Sequence, residues 1–166
     1  DSMKNLLNNR VDDEDNNFDQ DLLSFWFEIM DAYSMKQKSN SRAQDIAEQI
    51  EIKDVDGIGI ACVESTDGIP AQAISKFLFY RDTDIIIYKE DNHVGVIRSR
   101  KAIEPDLTLL QDHIDEEGWY FYPKGTMAAR GTRSRPVDTP SKYTLEDLFE
   151  IVSDIIEYTA PVSAAV

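Results

Sequence analysis

Three short apolar runs near the middle of the chain restrict what it can fold into. They are Gly57-Ile58-Gly59-Ile60-Ala61-Cys62-Val63, Asp84-Ile85-Ile86-Ile87-Tyr88-Lys89 and His93-Val94-Gly95-Val96-Ile97-Arg98. Runs this short, rich in β-branched residues and bounded by turn formers, predict strands. Between the first two, Ile69 to Tyr80 has helical periodicity, with Pro70 near its first turn, where proline is tolerated. Glu90-Asp91-Asn92 predicts a hairpin turn into the third strand. Further on, Leu107, Leu110 and Ile114 predict a helix over Pro105–Ile114. Gly118 to Tyr122 leads into a loop, and Met127 to Arg133 forms a last short strand. Thr144 caps a C-terminal helix, with Asp147 at the capping-box position. The order strand–helix–strand–strand–helix–loop–strand–helix predicts an α/β (mixed α+β) domain, a small mixed β-sheet with flanking helices.

A helical arm precedes it. Residues 1–17 are polar and acidic and are expected to be linker-like. Leu22, Phe25, Trp26, Ile29 and Met30 recur at helical spacing and predict an amphipathic helix over Phe18–Tyr33, its apolar surface widened by Phe18, Leu23 and Phe27. Such a helix packs on its own domain or, left exposed, marks contact with another domain or with a dimer partner. Lys36 to Asn40 is expected as a joint, followed by a second helix from Ser41 (its N-cap) with Ala43, Ile46, Ala47 and Ile50 on one face. The expected division is therefore 1–56, an acidic tail and helical connector, and 57–166, the α/β domain.

The net charge is −15 over 166 residues, which argues against a broad face for long duplex DNA. Its distribution is uneven. Residues 98–142 carry eight basic and seven acidic side chains, and every other part of the chain is acidic. The lone Cys62 lies in an apolar run and is expected to be a buried, unreactive thiol, and one cysteine excludes an intrachain disulfide. No apolar stretch is long enough to span a bilayer and no signal peptide is visible, so a reducing cytoplasm is the expected compartment.

The one segment that is not acidic holds the candidate site. A strand delivers Arg98-Ser99-Arg100 to its end, and Tyr122-Pro123-Lys124-Gly125-Thr126 forms a turn upstream of Arg130. Arginine offers a planar fork of donors that suits phosphate, and the N–H groups of a glycine turn add to it. The candidate anion-binding residues are Arg98, Ser99, Arg100, Lys124, Gly125, Thr126 and Arg130, with Lys101, Arg133 and Arg135 near them in sequence. Tyr120 and Tyr122 are candidates for stacking on a base. The bland alternative is that the arginines pair with the acidic excess. His93 and His113 have no ligand-like spacing, and the runs Asp12-Asp13-Glu14-Asp15 and Asp115-Glu116-Glu117 are expected to be solvated faces rather than metal sites.

Gly95-Val96-Ile97-Arg98-Ser99-Arg100, the following Leu107–Ile114 segment and Met127-Ala128-Ala129 together resemble the C-terminal (DHHA1) substrate-binding domain of the DHH, RecJ-like phosphoesterases. The resemblance covers roughly residues 57–158. In that family an Arg-Ser strand end is followed by a helix, a Gly-Gly-Gly-His loop and an alanine- and glycine-rich run. Here Tyr122-Pro123-Lys124-Gly125 stands at the glycine loop, without the histidine, and Arg130 stands where a glycine is common. Lys124 then takes the place of the missing donor. The resemblance implies a domain that binds a nucleotide or short oligonucleotide phosphate. It also implies that the catalysis of the parent phosphoesterase rests on Mn²⁺ or Mg²⁺ in an N-terminal catalytic domain, with no cofactor in this chain. The alternative is a non-enzymatic interaction or dimerisation domain that kept the scaffold, acting through the 18–33 helix. A self-contained metal hydrolase built from carboxylates is a third, remoter reading.

Overall fold

A computed structural model describes residues 16–132 and 134–159, with side chains from Leu22 onward. The chain divides into two compact units after Ser39. In the second, the described residues form one six-stranded sheet in the order β1-β2-β3-β4-β6-β5, so the mixed α+β class expected from the pattern holds. The strands are β1 (Ile52–Val55), β2 (Ile58–Glu64), β3 (Ile85–Glu90), β4 (His93–Arg98), β5 (Trp119–Phe121) and β6 (Met127–Arg130). Helix α2 (Ala71–Leu78) crosses between β2 and β3, the one parallel pair, and the other pairs are antiparallel.

Strand alternation sends side chains to two faces, and each face buries a different cluster. On one face Ile60, Ile85, Ile87, Val94, Val96 and Ala128 pack against Leu107, Leu110 and the apolar side of α3 (Leu145–Thr159). On the other, Ala61, Val63 and Ile86 meet α2 and the Ala43 and Ala47 positions of α1 (Asn16–Gln49). Half-buried Cys62 packs against the first cluster, where burial pushes its thiol pKa up despite the nearby Lys53 charge. That suits an inert thiol.

The C-terminal helix begins as its sequence dictates. Thr144 N–H and Oγ1 donate to Asp147 Oδ2 at 2.8 Å, and Asp147 N–H donates back to Thr144 Oγ1 at 3.1 Å. Three expectations need correction. The joint at Lys36–Asn40 and the Ser41 cap are absent, and α1 runs unbroken from Asn16 to Gln49. Nothing between Lys36 and Ser41 is Gly or Pro, so no residue there stops a helix. Residues 56 and 57, expected to separate connector from domain, instead form a two-residue turn joining β1 to β2. Asp56 and Gly57 both have positive φ (50° and 83°), as the tightest hairpin turns require. Finally, the helix expected at Pro105–Ile114 is a 3₁₀ helix, Leu107–Asp112. Its buried residues Leu107 and Leu110 are three apart, which matches the 3₁₀ repeat, and Asp106 caps it.

Of the other expectations, the linker at 1–17 falls largely outside the described residues, as does Arg133; the side chain of Phe18 does too.

Candidate anion site at the end of strand β4

Arg98 is the last residue of β4, and its side chain follows Val94 and Val96 onto the face that carries the 3₁₀ helix. Its backbone pairs with Ile85 in β3, and its N–H donates to Thr126 O at 2.9 Å, fixing the strand end beside the β5–β6 loop. That loop is tight. Gly125 N–H returns to Tyr122 O at 2.8 Å, leaving Pro123 and Lys124 exposed at the tip.

Gly125 is required here. Its φ is +68°, and an added Cβ would collide with the Asp106 carboxylate. Gly125 O also accepts from Leu107 N–H at 3.0 Å, so the loop, the 3₁₀ helix and β4 are tied together. Hydrogen bonds from the Thr108 hydroxyl (2.7 Å) and N–H (2.9 Å) hold the Asp106 carboxyl below the usual carboxylate range, and the Arg98 charge adds to this against the effect of burial.

The Arg98 guanidinium is the anomaly. Its Nε and Nη1 are buried and find no hydrogen-bond acceptor in the protein. Among the described residues the Thr83 hydroxyl is the one other buried side-chain polar atom in that condition. Leaving a buried donor unmatched costs about 1–3 kcal/mol, and more for a charged group. Nearly all native buried polar groups avoid that cost, so an exception asks for an explanation.

Ser99 follows in a turn: its N–H donates to Asp84 O (2.7 Å), its Oγ accepts from Lys101 N–H (3.3 Å), and its O accepts from Ala102 N–H (3.2 Å). Arg100 and Lys101 are exposed, and neither they nor Lys124 make an ion pair among the described residues. The expected site residues Arg98, Ser99, Gly125 and Thr126 therefore gather at one sheet end, with Arg100 and Lys124 exposed on the segments that follow β4 and precede β6. This end is not uniformly basic: Asp54, Asp82 and Asp84 line an open hollow of about 460 Å³ beside β1 and β2. The Asp84 carboxylate is held by Gly59 N–H at 2.9 Å.

Two expectations fail at this point. Arg130 is not free for a ligand. It is 7% exposed, and its guanidinium donates to Glu117 O (3.2 Å), Thr139 O (2.6 Å) and Thr139 Oγ1 (3.0 Å). It also pairs with Glu116 at 3.4 Å. Tyr120 does not face Arg98: the alternation of β5, whose Trp119 and Phe121 face the core, puts it on the opposite face of the sheet, and the Tyr122 ring lies 6.5 Å from it.

Glu116, expected in a solvated run, is instead a hub. Its carboxylate accepts from the Trp119 indole (2.9 Å), the Ser141 hydroxyl (2.7 Å) and Lys142 N–H (2.8 Å). Burial pushes its pKa up, but these bonds and the Arg130 charge outweigh it and hold the carboxyl below its ordinary value. The other acidic run, Asp12–Asp15, lies outside the described residues. Among the described residues no group of three or more His, Cys, Asp or Glu is arranged to hold a metal.

Sequence reasoning missed Asp106, which a turn-forming Asp followed two residues later by Thr could have indicated. It also missed Arg81, whose Nη1 donates to Ile50 O (3.1 Å) and to Ala47 O, satisfying carbonyls at the C-terminal end of α1. No protein-family model matches this chain, and no curated protein matches it. No helix among the described residues is long and apolar enough to cross a membrane.

Proposed function

We propose that the unit from Asn40 onward binds the phosphate of a nucleotide or short oligonucleotide at the end of β4. One observation carries this reading: the buried Arg98 Nε and Nη1, two charged donors with no acceptor in the protein. A phosphate oxygen supplies what they lack, and bidentate guanidinium–phosphate contacts are short and strong. Ser99 adds a hydroxyl, the Gly125–Thr126 backbone borders the same strand end, and Arg100 and Lys124 add exposed positive charge. Asp54, Asp82 and Asp84 nearby disfavour a long polyanion and suit a short one.

The resemblance to the DHHA1 domain agrees with this reading. On that view the chain holds substrate for a phosphoesterase whose Mn²⁺- or Mg²⁺-dependent catalytic domain lies elsewhere, in the cytoplasm, and is its natural partner. Arg130 no longer belongs to the proposed set. The test is a calorimetric titration with mononucleotides and short 5′-phosphorylated oligonucleotides at low and moderate salt. Saturable, salt-sensitive binding that disappears in Arg98→Ala supports the reading; equal affinity of the two folded proteins removes Arg98 from any site. A second reading, as an interaction domain, is favoured by the exposed apolar side chains of α1.

A further inference from the structure

Helix α1 carries a row of large apolar side chains in the unit that ends at Ser39: Leu22, Phe25, Trp26, Ile29, Met30 and Tyr33, each between 41% and 59% exposed. Their spacing puts them on one stripe, with Leu23 (52%) and Phe27 (68%) along its edge. An exposed apolar patch of this length marks an interaction surface. We propose that its occupant is the same stripe of a second copy of this chain, the two helices running antiparallel.

Three features favour that occupant. The stripe is symmetric in spacing about the point between Phe27 and Glu28, so positions 22 and 33, 25 and 30, and 26 and 29 exchange under a two-fold axis. A surface of that kind is self-complementary, as an isologous dimer needs. Size follows the same symmetry. The antiparallel pairing sets Phe25 against Met30 of the second copy and Trp26 against Ile29 of the second copy, a ring against a slimmer chain in each layer. Parallel pairing would stack Trp26 on its own copy and leave a thin layer at Ile29.

Charge points the same way. Antiparallel helices bring the end bearing Lys36 and Lys38 alongside the end whose sequence bears Asp19 and Asp21, and parallel ones would set like charges together. The area is also sufficient. The six side chains of the symmetric stripe, with roughly 100 Å² left on each, amount to on the order of 600 Å² per copy, about 1,200 Å² in all, the lower end of a specific interface.

Sedimentation equilibrium of the whole chain at tens of micromolar tests the association. A dimer is expected, becoming a monomer in Trp26→Glu/Ile29→Glu with the circular dichroism of the sheet domain unchanged. A wild-type monomer, or a double variant that stays dimeric, overturns the proposal. Disulfide trapping in a Cys62→Ala background tests the direction. Leu22→Cys mixed with Tyr33→Cys should cross-link far better than either alone, and efficient cross-linking of each alone would mean parallel helices and refute the pairing.

Discussion

Arg98 and Arg130 leave neighbouring strands on the same face of one sheet, and they have opposite fates. Arg130 sits opposite Val94 and is surrounded by acceptors: two backbone carbonyls, a hydroxyl and the Glu116 carboxylate. It fastens the β5–β6 hairpin to the 138–142 segment. Arg98, at the other end of the same ladder, keeps two buried donors without an acceptor. A fold that can satisfy one arginine four times over is not short of ways to satisfy a second. The difference separates an arginine whose donors the fold uses from one whose buried donors it leaves unmatched, which is the observation behind the proposed phosphate site.

The largest effect should come from breaking the structural arginine. Arg130→Ala removes three hydrogen bonds and the cation paired with the largely buried Glu116, so urea denaturation should show a loss of about 3–5 kcal/mol. Arg98→Ala should behave in the opposite way. Its stability should stay within about 1 kcal/mol of wild type, because the guanidinium's Nε and Nη1 lose no hydrogen bond and only its minor charge effect on Asp106 disappears, whereas phosphate affinity should fall roughly 10- to 100-fold. If the two variants were equally destabilised, the contrast between the arginines would be void.

Acid sharpens the same comparison. Glu116 has a depressed pKa in the folded protein, so its contribution is present above the unfolded carboxyl value, about 4.3, and fades as pH falls through the lower folded value. Thermal melts between neutral and acid pH should show a decline below that point which is shallower in Glu116→Gln, while Arg98→Ala, whose charge is only a minor influence on Asp106, should change the slope far less. The smallest effects belong to the exposed charges. Arg100→Ala or Lys124→Ala should weaken phosphate binding only a few-fold, mostly as a reduced salt dependence, and leave the melting temperature unchanged.

Much of this fold was legible because it is local. The three apolar runs, the Asp91-Asn92 turn and the Thr144–Asp147 cap each lie within a few residues, and all are present. Strand β1 was harder, since Ile52-Lys53-Asp54-Val55 is an edge strand with charges at two of its four positions. Its Asp56-Gly57 turn was the available signal. The site was half legible. Arg98 at a strand end beside a glycine turn could be picked out from the residues, but which arginine is free could not. The partners of Arg130 come from Glu117, thirteen residues before it, and Thr139, nine after, and no local pattern encodes those meetings. Tyr120 failed as a stacking candidate beside Arg98 through parity: one residue's shift along β5 decides the face.

The most direct test watches both guanidinium groups at once. In an NMR titration with a short 5′-phosphorylated oligonucleotide, the Nε–Hε resonance of Arg98 should move saturably, and that of Arg130 should stay fixed and protected from exchange. Movement of Arg130 with a stationary Arg98, or no movement of either at saturating ligand, would contradict the assignment of Arg98 to the ligand and Arg130 to the fold.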